Sequence, residues 1–92
     1  MRGAIVTALR KRADWSRQLP RPLTIPDVMT LKTLADVRAL MRHLPEDRQA
    51  RSTWRHVADQ LAQAAAGAVD PAHVAIALRL VLSMEGVECR PQ

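Results

Sequence analysis

The chain has 92 residues, enough for one modest hydrophobic core, and is 48% hydrophobic but only 2% aromatic, both aromatics being tryptophan. A core without Phe or Tyr must be built from Leu, Val, Ile, Met and Ala, which suits helices better than sheets. The single cysteine, Cys89, excludes an intrachain disulfide framework and any cysteine-cluster metal site, and the formal charge is +5.

That charge is unevenly placed. Residues 1–21 carry Arg2, Arg10, Lys11, Arg12, Arg17 and Arg21 against Asp14 alone, whereas residues 22–92 carry eight basic and eight acidic side chains. The whole excess therefore belongs to the N-terminal segment. Residues 2–18 read as a helix, with Ile5, Ala8, Leu9 and Trp15 near one face and cations around the rest, although Gly3 weakens its start. The apolar run from Gly3 to Leu9 is short, and arginines and a lysine follow where a signal-peptide cleavage site would be.

Residues 22–32 read as a connector. Pro20, Pro22 and Pro26 forbid a regular helix and favour extended, polyproline-like backbone. Leu19, Leu23, Ile25, Val28 and Met29 are too apolar for a free linker, so the connector is expected to lie along the domain.

Residues 33–66 contain the most orderly spacing. Leu34, Val37, Leu40, Met41 and Leu44 recur at steps of three and four, the stripe of a helix packed on a core. Thr33 is a natural N-cap, and Asp36 completes a capping-box-like pair. Pro45 ends this helix near Leu44 and opens a polar turn. Trp54, Val57, Ala58, Leu61, Ala64 and Ala65 form a second stripe, started by Ser52 or Thr53 and closed by Gly67. Asp70-Pro71 then starts a third helix that Gly86 ends. Between Val74 and Met84 it is apolar on nearly every face, so it is either central or covered in part by another chain. Its alternating large residues also fit a strand; the intervening alanines, the Asp-Pro cap and the lack of a partner strand favour the helix.

These readings predict an all-α fold: one domain of four helices over 2–18, 33–44, 53–66 and 71–84, the last near the centre, with a loose tail over 87–92. Trp54, Val57, Leu61, Leu34, Val37, Leu40, Leu44, Val74, Leu78 and Val81 are the expected core.

The chemical signals are weak. His43, His56 and His73 fall on three predicted helices, without a close pair or a cysteine partner, so they do not spell a metal site. Ser52, His56 and Asp59 have the residue types of a hydrolase triad but lack a nucleophile turn or oxyanion motif; a capping role for Ser52 and an Asp59–Arg55 pair explain them better. Only three glycines exist and none forms a phosphate loop. No catalytic activity and no cofactor are expected. A helix-turn-helix reader would place residues 71–84 in a groove with only His73 and Arg79 to meet bases.

The sequence therefore points to a small cytoplasmic interaction, adaptor or regulatory module with a protein partner, self-associating through Ile76, Leu80 and Leu82. The alternative is a nucleic-acid-binding accessory protein that grips phosphate through Arg10, Lys11, Arg12, Arg17 and Arg21. A membrane is not the expected partner, because no apolar run approaches the ~20 residues that span a bilayer.

Overall fold

The computed structural model describes residues 13–91. Its elements in chain order are strand β1 (Gln18–Ile25), strand β2 (Met29–Thr33), helix α1 (Leu34–Arg42), the single turn α2 (Glu46–Gln49), helix α3 (Ser52–Ala65), helix α4 (Pro71–Met84) and the short strand β3 (Arg90–Pro91). The three strands form one antiparallel sheet in the order β2-β1-β3. The fold is thus mixed α and β, which overturns the all-α, helical-bundle reading.

The correction concerns the segments read as N-terminal helix and connector. Leu23, Thr24 and Ile25 pair with Leu31, Thr30 and Met29, and Gln18 pairs with Thr33. Between these registers, residues 19–22 oppose Lys32 alone, an irregularity that bends the strand. Pro20 and Pro22 fall inside it, where no ladder bond has to be donated. Prolines that argue against a regular strand are thus accommodated in the central strand of the sheet. The hairpin turn carries Pro26 at its second position and Asp27 at its third with φ of 63°, closed by the Val28 amide donating to Ile25 at 3.0 Å. This is the type II pattern, with aspartate where glycine is usual.

The expected helix over 2–18 is contradicted where it can be seen. Trp15 and Ser16 form a turn and Gln18 already belongs to β1; residues 1–12 lie outside the described residues. The Asp14–Arg17 stretch joins two helix ends instead. The carbonyls of Arg17 and Trp15 accept from the first-turn amides of Leu34 (3.0 Å) and Ala35 (2.9 Å), while the Asp14 amide donates to the Ala65 carbonyl (2.7 Å) at the end of α3. Helix ends expose unpaired donors and acceptors, and this crossing segment supplies their complements.

Thr33 caps α1 with the capping box that its spacing to Asp36 predicts. Asp70 caps α4, with Pro71 at the first turn, as the Asp-Pro pair predicts. At α3 the cap residue is Arg51 and makes no side-chain cap bond, so the capping role given to Ser52 or Thr53 is not realised. Both long helices end in the same backbone motif. Gly67 (φ 86°) and Gly86 (φ 75°) take left-handed conformations, and the next amides, of Ala68 and Val87, reach back to the carbonyls of Gln63 and Leu82 at 2.8 Å.

The core sits between the inner sheet face and the helices. Leu23, Ile25 and Leu31 of the sheet meet Leu34, Val37, Leu40, Trp54, Val57, Leu61, Val74, Leu78 and Val81, all buried, while Leu44 is only half-buried. Thr24 and Thr30, paired with Oγ1 atoms 3.3 Å apart, occupy the opposite face. Helix α4 is not central as expected. It packs on α3 and β1 with one side and leaves the other uncovered.

Candidate functional site

The uncovered side of α4 is the most unusual surface among the described residues. Val74, Ala77, Leu78, Val81 and Leu82 point into the core at helical spacing. Ile76, Leu80 and Met84, each four residues from the last, point outward with 67%, 61% and 65% of their surface exposed. Scattered exposed aliphatics are ordinary, but three in line on one helix form a contiguous patch, and such patches mark contact surfaces. The wholly apolar reading of this helix thus divides into a core half and a solvent half.

A groove runs along each side of the ridge. One, of about 360 Å3, lies toward α3 and is lined by Ser52, Thr53 and His56 together with Ala77 and Val81. The other, of about 690 Å3, lies toward the C-terminal segment, where Arg79, Ser83, Val87, Glu88 and Cys89 form its walls. Arg79 makes no ion pair among the described residues, whereas Glu88 pairs with Arg90 at 2.8 Å.

A charged clasp holds this face in place. Glu85, the C-cap of α4, has a side chain only 10% exposed. Its Oε2 accepts from Arg51 at 3.1 Å and from the Trp54 indole at 3.0 Å; its Oε1 lies 3.2 Å from Arg48, as a charge contact without a hydrogen bond. The start of α3 is therefore fastened to the end of α4, which makes the two helices antiparallel and fixes the ridge beside its groove.

The residues singled out from sequence divide sharply. Ile76 and Leu80 are on the exposed ridge, but Leu82 is 3% exposed and belongs to the core; Met84 occupies the outer position. The i, i+4 step from Leu80 to Met84 is visible in the sequence and is the signal that could have found it. Arg10, Lys11 and Arg12 lie outside the described residues. Arg21 is exposed on β1. Arg17 is turned inward: its guanidinium donates to the carbonyls of Ala64 and, at 3.4 Å, Val69, placing positive charge at the negative end of α3. These contacts tie its guanidinium to the end of α3.

Asp59 accepts from Gln63 at 2.7 Å, not from Arg55 as expected and not from His56, so Ser52, His56 and Asp59 are not linked as a triad. Among the described residues no group of three or more His, Cys, Asp or Glu could hold a metal ion. None of the described helices is long and apolar enough to cross a membrane. The acidity of Asp14 is clearly perturbed. The Ser16 hydroxyl and then the Ser16 amide donate to its carboxylate and, with Arg17 nearby, hold its pKa below 3.8. These contacts shape the turn before β1 and lie away from the ridge. Comparisons with protein-family models, with curated proteins and with solved structures return no match.

Proposed function

We propose that this chain is a non-catalytic interaction module whose contact surface is the outer face of α4. One observation carries the reading: a helix fixed rigidly by its inner residues presents Ile76, Leu80 and Met84 to solvent in a single line, between two grooves. Leaving large aliphatics in water forgoes roughly 1.5–3 kcal/mol per side chain relative to burial. A protein partner that covers them recovers that free energy, and the grooves provide the walls for its side chains.

The test is a triple variant, Ile76→Gln, Leu80→Gln, Met84→Gln. Because these positions are exposed, helical content and melting temperature should stay close to wild type. In extracts of the producing cell, tagged wild type should elute above the mass of one chain, and the variant as a single chain. Elution of wild type as one chain, or of the variant with the wild-type complex, would refute the reading.

A further inference from the structure

We infer that Met84 is an oxidation site that regulates the α4 contact face: oxygen transfer from hydrogen peroxide to its thioether closes the face to a partner. This rests on the interaction reading above and adds a chemical control to it.

Exposure singles out this sulfur. Methionine oxidation needs access of the oxidant to the thioether. Of the methionines among the described residues, Met29 and Met41 are half-buried and pack against the core, whereas Met84 is 65% exposed.

Position gives the reaction a consequence. Ile76 and Leu80 present hydrocarbon that peroxide leaves intact, and the third place on the ridge carries sulfur. Met84 also lines the groove toward α3, beside Ser52 and Thr53. A thioether is apolar and adapts its shape to a partner, whereas the sulfoxide is polar. In water the new oxygen is hydrated. Covered by a partner without a donor for it, the same oxygen carries the penalty of a buried, unpaired polar group.

The step balances without any other group of the chain. The peroxide O–O bond breaks, one oxygen forms the bond to Sδ, and the other leaves as water. The sulfur is oxidised by two electrons and the peroxide is reduced by two. A thiol-dependent sulfoxide reductase reverses the step, releasing the oxygen as water while two thiols become a disulfide.

The fold is insulated from the change. Met84 is the last residue of α4, and the inner side of that turn is held by buried Val81 and Leu82. Glu85 then fastens the helix end through the Trp54 indole and Arg51. The Met84 sulfur takes part in none of these hydrogen bonds, so its oxidation alters the face and leaves the clasp.

The experiment treats purified, tagged full chain with dilute hydrogen peroxide, then with dithiothreitol, which restores Cys89 but not a methionine sulfoxide. Peptide mass mapping should show Met84 converted at least about fivefold faster than Met29 and Met41. Circular dichroism should stay unchanged. Added to a desalted extract of the producing cell, untreated chain should elute above the mass of one chain and oxidised chain as a single chain. Methionine sulfoxide reductase should restore the larger complex. A Met29→Leu, Met41→Leu variant, shown to be folded, should lose the complex on oxidation as wild type does. Conversion of Met29 or Met41 as fast as Met84, an oxidised chain that keeps the complex, or a double variant made resistant overturns the inference and leaves the contact face standing. Untreated chain that elutes singly removes the interaction reading, and this inference with it.

Discussion

The indole N–H of Trp54 donates to Oε2 of Glu85 across 3.0 Å, tying the largest buried side chain of α3 to the residue that ends α4. Without this carboxylate the indole donor would be buried unpaired, and Arg48 and Arg51 would lose their common partner. Glu85→Ala should therefore cost about 1.5–3 kcal/mol in chemical denaturation, the range for hydrogen bonds to a charged group. Arg48→Ala and Arg51→Ala, whose side chains are 45% and 55% exposed, should each cost under about 1 kcal/mol. A Glu85→Ala loss as small as the arginine losses would show that the indole bond contributes little.

Removing the indole itself is the larger lesion. Trp54 is 1% exposed, and Trp54→Ala should cost roughly 3–5 kcal/mol through lost burial and the cavity left behind. Denaturation with an unchanged m-value measures it; a loss typical of surface sites, below about 1 kcal/mol, would contradict the packing.

Arg17 offers a test of a charge that serves the fold. Arg17→Met keeps most of the aliphatic stem but removes the donors to Ala64 and Val69. A loss of about 1–2 kcal/mol is expected, with hydrogen exchange accelerating at Gly67 and Ala68. Unchanged stability and exchange would mean that the end of α3 does not need the guanidinium.

Asp27 holds a positive φ at the hairpin turn. Asp27→Gly should raise stability by roughly 0.5 kcal/mol, because relief of the left-handed backbone outweighs the added freedom of the unfolded chain. Asp27→Val should lower it by about 1 kcal/mol or more. The reverse order in matched melts would exclude this turn.

Asp14 supplies a pH signature. Its pKa is lowered in the folded chain, chiefly by the Ser16 hydroxyl, so the stability it contributes is present above the unfolded value near 3.8. That contribution is lost as pH falls through the lower folded value. A carboxyl NMR titration should place Asp14 below 3.8 in wild type and move it upward in Ser16→Ala; coincident titrations would remove the hydroxyl as the cause.

The starts of α1 and α4 and the ends of α3 and α4 were legible because their signals are local. Thr33 with Asp36, Asp70 with Pro71, and the glycines at 67 and 86 act within a turn of the ends they define, and helical spacing marked the buried stripes. The sheet was not legible. Leu23 becomes a strand residue only because Leu31 and Pro91 come to lie on either side of it; the Pro26-Asp27 turn is a local sign of the first pairing, and no local pattern announces the second. Prolines at 20 and 22 argued for a connector, since whether a missing donor matters depends on what lies opposite. The site divides in the same way. The sequence by itself determined that α4 is apolar all round, and hence that part of it would face either core or partner. Tertiary structure alone decided which part, by setting α3 and β1 against Val74, Leu78, Val81 and Leu82 and leaving Ile76, Leu80 and Met84 in water. Apolar character is a property of each side chain, whereas burial depends on which neighbours arrive from elsewhere in the chain.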